Sequence, residues 1–172
     1  EKIETDFGEK NKKKPKYFEK KIWRKSKVKN EGGGVHAIIK DGLVFDRVGV
    51  NFSEVSGKFS KAFKSQVLGA KKNPNYWAAG ISIVAHMKNP KIPAMHFNTR
   101  FIVTTKSWFG GGTDSTPSYN DYEEKKLFHK KIKLMCDKHN KSYYPKYKKW
   151  CDDYFYLPHR KEMRGIGGIF FD

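Results

Sequence analysis

The stretch that decides the fold is residues 80–103, which read GISIVAHMKNPKIPAMHFNTRFIV. Polar and apolar residues alternate on both sides of a turn signal that runs from Lys88 to Pro93. Because successive side chains of a β-strand point to opposite faces, this alternation predicts two strands, residues 80–87 and 96–103, joined by that turn. The polar side chains that share one face of their strand are Ser82, His86, His96, Asn98 and Arg100.

This polar face contains no lysine, although lysine supplies most of the 36 basic residues of the chain. The ordinary alternative is the solvent-facing side of an antiparallel sheet. A serine, two histidines, an amide and a guanidinium, without a lysine, instead favour the lining of a pocket. Arginine holds a planar carboxylate through two parallel hydrogen bonds, so Arg100, Arg160 and Arg164 are candidate carboxylate-binding residues.

The charge balance limits the kinds of partner. The 36 basic residues stand against 18 acidic ones, a formal net charge of +18. Three interpretations fit: lysines spread over solvated faces, a nucleic-acid-binding surface, or a cleft for a small anion with several carboxylates. The chain has two cysteines, no stretch of roughly 18 apolar residues and no secretory leader. We therefore expect a soluble, cytoplasmic domain without a disulfide framework or a transmembrane segment.

Toward the N-terminus, the pattern predicts a β-hairpin. Two apolar runs, residues 35–39 and 43–48, flank an Asp41-Gly42 pair that is typical of a hairpin turn. Residues 50–55 are predicted as a third short strand.

Two segments on this side are predicted to be helical. Residues 58–69 have a helix-like composition. The lysine-rich residues 1–30 are predicted as a frayed start followed by one amphipathic helix, on which the apolar residues recur at roughly helical spacing: Tyr17, Phe18, Ile22 and Trp23.

Toward the C-terminus, the residues 110–112 are all glycine and are predicted as a turn from which Asp114 emerges. Asp121 and Glu124 have capping-box spacing, which predicts a helix from about 121 to 136. That helix is expected to bury Phe128, Ile132, Met135 and Cys136 and to carry His129 at its side.

A second helix is predicted from Pro145 to the residue before Pro158, with an apolar stripe of Tyr147, Trp150, Cys151, Tyr154 and Phe155. The apolar run that ends at Asp172 is predicted as a buried strand. An apolar strand at the end of a chain is typical of a truncated domain rather than of a completed sheet edge.

The sequence also contains residues that could ligate a metal ion. Zinc-type ligands are present, but their spacing matches no standard zinc finger: Cys136, His139, Cys151 and His159. A nitrogen-only set could hold a divalent metal if the fold gathers it: His86, His96, His129 and His159. The chain has no Gly-x-Ser-x-Gly motif for a nucleophilic serine.

Several long motifs follow one another in a specific order: 32–34, 44–53, 80–82, 86–93, 96–101, 108–117, 144–152 and 154–172. In this order, over about residues 20–172, the chain resembles the oxygen-dependent coproporphyrinogen-III oxidases of haem biosynthesis. The resemblance implies an α+β fold, with a large, mostly antiparallel sheet flanked by helices on both sides. It implies one domain, with residues 1–19 as a polar basic N-terminal segment and residues 20–172 as the N-terminal and central part of the oxidase domain.

The resemblance also implies a reaction and a site. The substrate is coproporphyrinogen III, and molecular oxygen is the co-substrate for oxidative decarboxylation of two propionates to vinyl groups, which gives protoporphyrinogen IX. His96 is then the proton donor, Asp114 accepts pyrrole N–H groups, and Arg100 serves catalysis and binding. The residues implied to bind substrate are Ser82, Asn98, Thr99 and Arg100. The reaction needs either no cofactor or a divalent metal on His86, His96, His129 and His159.

Members of the family continue beyond the position of Asp172, and the full-length enzymes are homodimers. The chain is therefore expected either to act as the oxidase or to be a fragment that keeps part of the tetrapyrrole site without turnover. A basic nucleic-acid-binding module is the third alternative, which the absence of a nucleic-acid-binding motif disfavours.

Overall fold

The centre of the molecule is a seven-stranded antiparallel sheet with the strand order β1-β2-β3-β4-β5-β6-β9. The computed structural model describes residues 1–27, 30–119 and 121–172. Neighbouring strands follow the chain order up to β6, and β9 then returns to pair with β6. The elements are α1 (Lys2–Asn11), β1 (Glu19–Arg24), β2 (Gly32–Lys40), β3 (Phe45–Lys58), β4 (Asn75–Met87), β5 (Ala94–Val103), β6 (Ser107–Thr116), α2 (Tyr122–Asp137), α3 (Tyr143–Phe155), β7 (Tyr156–Leu157), β8 (Glu162–Met163) and β9 (Gly167–Phe171).

The α+β prediction is confirmed, and so are the strands that the alternating pattern predicts. β4 and β5 pair in an antiparallel register that places Ser82 opposite Asn98. β4 begins five residues before the predicted start at residue 80. Residues 75–79 extend it because they continue the ladder with β3, where Trp77 lies opposite Ser56.

The predicted hairpin is confirmed as β2 and β3, but the separate third strand is wrong. β3 runs without a break from Phe45 to Lys58. Gly49 lies in the middle of this strand opposite Val84 of β4, so the chain does not turn there. The long β3 brings Asn51 opposite Ser82, next to the polar face of the sheet.

The N-terminal helix is misplaced in the prediction. The helix spans Lys2–Asn11 and ends at Lys12, which has a left-handed conformation. Residues Glu19–Arg24, predicted as helical, form the edge strand β1 and pair with β2. Pairing with an existing strand outweighs the weak helical spacing, because a β-branched and an aromatic residue at 22 and 23 also suit a strand.

Helix α1 is not frayed, because its Glu4 side chain is fully buried against the β2–β3 loop. The carboxylate accepts hydrogen bonds from the backbone N–H groups of Leu43, Val44 and Phe45 at 2.8, 2.9 and 2.9 Å. Burial alone would raise the pKa of Glu4, but these three bonds and the charge of Lys88 outweigh burial and lower it. The ionised carboxylate therefore fastens α1 to the sheet.

We expect Glu4→Gln to lower the free energy of unfolding by about 1–3 kcal/mol at neutral pH, since one amide group then faces backbone donors. The folded-state pKa of Glu4 lies below its unfolded value, so this stability is present above the unfolded pKa and is lost as pH falls through the folded pKa. Urea unfolding of both proteins across that range measures the difference. Glu9→Gln, on an exposed residue of the same helix, is the control. A constant difference down to strongly acidic pH would contradict this role.

Two further local predictions are wrong. Residues 58–69 form no helix; they contain isolated turns such as the hydrogen bond from Lys64 N–H to the Ser60 carbonyl, and Gly69 has a positive φ of 72°. Residues 110–112 are not a turn but lie inside β6. Glycine there serves close packing, because a Cβ on Gly112 would collide with the ring of Phe170.

The helix predicted from about 121 to 136 is confirmed as α2, and the helix predicted from Pro145 is confirmed as α3. The Asp121 side chain caps α2 by accepting from Glu124 N–H at 3.0 Å. Ile132 and Cys136 of α2 pack with Ile169 of β9 in a small core. Met135, predicted to be buried, is half-exposed. A second core lies between the sheet and the N-terminal segment and contains Ile39, Phe45, Val48 and Ala85.

Within residues 1–27, 30–119 and 121–172, none of the helices has the length and apolar character needed to cross a lipid bilayer.

Candidate active site

One face of the sheet gathers most of the side chains that the sequence singles out. On β5, His96, Asn98 and Arg100 alternate with residues of the opposite face. Ser82 of β4 lies opposite Asn98, and Asp114 of β6 lies opposite His96. Five polar groups from three adjacent strands therefore lie on one side of the sheet.

The central feature of this face is a pair between His96 and Asp114. His96 Nδ1 lies 2.8 Å from Asp114 Oδ1, while the Asp114 side chain is 7% exposed and the His96 side chain 29%. A proton on Nδ1 donates to the carboxylate, which orients the ring and leaves Nε2 available to a ligand. This arrangement suits a histidine that transfers a proton.

Arg164, one of the three arginines that the sequence predicts to bind a carboxylate, completes this cluster. Its guanidinium lies 3.6 Å from Asp114 Oδ1, and its carbon atom Cζ lies 3.8 Å from the centre of the Phe155 ring. In the described part of the chain, no hydrogen bond or ion pair reaches Asp114 Oδ2. The second oxygen of this largely buried carboxylate is therefore available to accept hydrogen bonds from a ligand.

Arg100 is held at the end of the polar face. It forms an ion pair with Asp172, just beyond β9, and a long hydrogen bond of 3.4 Å to Asn98 Oδ1. Asp172 also accepts a hydrogen bond of 2.8 Å from the indole nitrogen of Trp108. The guanidinium is 41% exposed, so it can still meet a ligand carboxylate.

Beside Arg100 lies a cavity of about 300 Å³. It has polar groups from the sheet on one side and aromatic rings from α3 and β9 on the other. The lining residues are Asn98, Arg100, Gly111, Trp150, Tyr154, Phe170, Phe171 and Asp172. Ser82, His96 and Asp114 share the sheet face with this cavity but do not line it. The cavity combines a cation for an anionic group with flat apolar surfaces for rings.

The polar face extends further than the sequence predicts. Asn51 lies opposite Ser82, and its side-chain oxygen lies 2.9 Å from His36 Nδ1. A row of polar residues therefore crosses β2, β3, β4 and β5. The available signal is the amide at position 51, which interrupts an otherwise apolar run of residues 48–52.

Thr99 is separated from the other residues predicted to bind substrate. Thr99 stands between Asn98 and Arg100 in the sequence, so its side chain points to the opposite face of β5, together with Phe97 and Phe101. The structure thus does not bring the Thr99 side chain to the polar face.

The four histidines predicted to bind a metal are not gathered into one donor set. The rings of His86 and His96 are neighbours, with centres 6.4 Å apart. His129 uses both ring nitrogens within the protein, on the Ile166 carbonyl at 2.7 Å and the Tyr144 hydroxyl at 3.0 Å. His159 is exposed near the β7–β8 turn. Among the described residues, no three His, Cys, Asp or Glu side chains are placed to hold a metal ion. This donor set does not fit a divalent metal.

The two cysteines are buried in the helical layer. Burial raises the pKa of Cys151 to about 12, and it also raises the pKa of Cys136. Both thiols are therefore protonated at neutral pH, whereas zinc and nucleophilic chemistry require thiolates.

The fold and the site define an α+β protein whose antiparallel sheet has one polar face beside a cavity lined by an arginine and aromatic rings. The family model described as coproporphyrinogen III oxidase matches residues 2–172. The chain belongs to the coproporphyrinogen III oxidase family. It is 52% identical over 172 residues to proteins named oxygen-dependent coproporphyrinogen-III oxidase from Rickettsia bellii (strain RML369-C), Rickettsia rickettsii (strain Sheila Smith) and Rickettsia akari (strain Hartford).

These matches cover all of this chain and 60% of each of those three relatives. The chain thus spans about three fifths of the length of the curated relatives that it matches.

Proposed function

We propose that this chain carries the catalytic face of an oxygen-dependent coproporphyrinogen-III oxidase. The proposed reaction converts two propionate groups of coproporphyrinogen III to vinyl groups and gives protoporphyrinogen IX. The family membership and the names of relatives that are 52% identical support it. The observation that carries the proposal is the His96–Asp114–Arg164 cluster on the same sheet face as Arg100.

Each decarboxylation balances with molecular oxygen as the oxidant. The propionate loses CO₂ from its end and a hydrogen with two electrons from the carbon attached to the ring, so that a carbon–carbon double bond forms. One O₂ takes up the two electrons, that hydrogen and one further proton, which gives H₂O₂. No step in this balance requires a metal or an organic cofactor.

We assign substrate binding to Arg100 and to the aromatic rings around the cavity. The proposal has Arg100 bind a propionate, which is supported by its position in the cavity lining and by Asn98 and Ser82 on the same face of the sheet. The aromatic side chains of Trp150, Tyr154 and Phe170 suit the flat faces of pyrrole rings. A cavity of about 300 Å³ is at the lower end for ligand pockets, so we assign to it part of the tetrapyrrole, with the rest over the open sheet face.

The chemical steps are assigned to Asp114 and His96. Asp114 accepts pyrrole N–H groups through its available oxygen, and its negative charge stabilises the positive charge that develops as oxygen attacks the electron-rich ring. His96 donates the proton, oriented by its bond to Asp114. Arg164 is adjacent to Asp114 and places a positive charge beside its carboxylate. Holding the reacting propionate still beside this pair accelerates the reaction by limiting motion.

Incubation of the chain with coproporphyrinogen III tests the proposal. We expect protoporphyrin fluorescence after auto-oxidation of the product, and we expect it only when oxygen is present. The same assay on the chain extended with the C-terminal part of the Rickettsia bellii relative separates the alternatives. Product from the extended chain alone would favour a fragment that needs the remaining part, and product from neither would count against the assignment.

The proposal extends to assembly and location. From the family resemblance we infer that the full-length protein is a homodimer that works in the cytoplasm. Light scattering after gel filtration of the extended chain tests the assembly, since a single species with the mass of one extended chain would contradict it.

A further inference from the structure

The segment between β8 and β9 carries Arg164, and its backbone conformation depends on two glycines. Gly165 and Gly167 both have left-handed backbone conformations, with φ of +65° and +75°. Glycine populates many conformations at little cost, so two such residues on either side of Ile166 leave the segment poorly determined by its own sequence. Contacts from other elements must therefore fix its path.

Both backbone groups of Ile166 make such contacts. Its N–H donates to the carbonyl of Ser115 on β6 at 3.0 Å, next to Asp114. Its carbonyl accepts from Nε2 of His129 on α2 at 2.7 Å. The one residue between the two glycines is thus tied to the catalytic strand on one side and to a helix on the other.

The second nitrogen of His129 is also occupied. Nδ1 lies 3.0 Å from the hydroxyl of Tyr144 on α3. A carbonyl can only accept, so Nε2 carries the proton, and Nδ1 of the neutral ring accepts from the Tyr144 hydroxyl. Burial lowers the pKa of His129, in agreement with a neutral ring. One imidazole therefore joins α2, α3 and the segment before β9.

We propose that His129 is a positioning residue: its Nε2–H bond to the Ile166 carbonyl holds the glycine-flanked segment in the shape that brings Arg164 to Asp114. Arg164 itself donates its backbone N–H to the Phe155 carbonyl at 3.0 Å and lies over the Phe155 ring. Loss of the bond between His129 and the Ile166 carbonyl removes the restraint on the residues that follow Arg164. The Arg164 guanidinium can then move away from Asp114. The importance of this placement for turnover rests on the proposed function, whereas the placement itself does not.

This role differs from metal ligation in its demands on the side chain. A metal ligand must offer a nitrogen lone pair, whereas Nε2 of His129 carries a proton and the lone pair of Nδ1 accepts from the Tyr144 hydroxyl. A positioning residue needs only a donor at the place of Nε2 and an acceptor at the place of Nδ1. Glutamine offers both an N–H donor and a carbonyl acceptor, while phenylalanine keeps the ring shape and offers neither.

The first test is NMR spectroscopy of the chain itself. Because Arg164 lies over the Phe155 ring, its side-chain N–H resonance should be shifted upfield by the ring. We expect His129→Phe to abolish that shift and His129→Gln to retain most of it. His139→Gln, the same change at an exposed histidine beyond α2, should leave it unaltered. An unchanged Arg164 signal in His129→Phe would overturn the proposal.

Two further measurements keep the proposal testable if His129→Phe does not fold. The ¹⁵N shifts of His129 in the unaltered protein should show a protonated Nε2 and an unprotonated Nδ1, and the reverse tautomer would overturn the proposal. In the protein form that shows turnover, His129→Phe should lower kcat by about 10- to 100-fold, and His129→Gln should restore most of it. Loss of activity in His129→Gln with an unaltered Arg164 signal would contradict positioning. Absence of turnover in the unaltered protein would count against the proposed function only.

Discussion

Asp114→Asn is expected to lower kcat by about 100- to 1000-fold while the protein stays folded. The change removes the negative charge that the proposal places beside the developing positive charge. It also replaces the acceptor of the His96 bond with an amide that can present a donor. The shape of the side chain is kept, so the Asn variant isolates charge and hydrogen bonding from packing. Steady-state kinetics with circular dichroism on both proteins provides the measurement.

The matched control is Asp153→Asn, at an exposed aspartate of α3 whose partner is Lys149 on the same helix. It removes one negative charge from an exposed ion pair and should leave kcat unchanged. A kcat in Asp114→Asn within a factor of about two of the unaltered protein would remove this residue from the mechanism.

Arg100→Lys is expected to raise KM by about 10- to 100-fold, because lysine keeps the charge but loses the planar pair of donors that fits a carboxylate. Lysine also cannot reproduce the simultaneous contacts with Asp172 and Asn98. Arg100→Ala should show a larger loss, which would appear in kcat as well if the bound propionate is the reacting one.

Arg160→Lys serves as the control for Arg100→Lys. Arg160 is an exposed arginine near the β7–β8 turn and pairs with Glu162 at 2.6 Å. On the sequence alone, Arg160 is as good a carboxylate-binding candidate as Arg100, whereas the structure places it in a surface ion pair. Equal KM values for the two lysine variants would contradict the assignment of the propionate site to Arg100.

The part of the fold that the sequence predicts best is the part where pattern and tertiary contacts agree. Residues 80–87 and 96–103 alternate with period two, and they pair with each other and with the neighbouring strands β3 and β6. The cap at Asp121 and the stripe that contains Cys151 and Phe155 predict α2 and α3 for the same reason. For each of these elements, the local sequence preference and the tertiary packing favour the same secondary structure.

The errors arise where partners distant in sequence decide the outcome. Residues 19–24 show weak helical spacing, and only pairing with β2 makes them a strand. Three consecutive glycines at 110–112 are typical of a turn, but the rings and carboxylate that β9 brings against β6 favour small residues within a strand. Neither partner is visible from the local sequence.

The candidate site likewise has one part that the sequence predicts and one part that it does not. The shared face of His96, Asn98 and Arg100 follows from strand geometry alone. The approach of Arg164 to Asp114 does not, because it depends on the return of β9 to the sheet after two helices.

We propose that a tetrapyrrole with carboxylate arms binds the face of the sheet that carries Asn98 and Arg100. The most direct measurement is an NMR titration with coproporphyrin III, the stable oxidised relative of the proposed substrate. Side-chain signals of Asn98 and Arg100 should shift as the ligand is added, while those of Thr99 and Phe97, on the opposite face of the same strand, should stay in place. Shifts confined to the opposite face or to surface lysines would contradict the account.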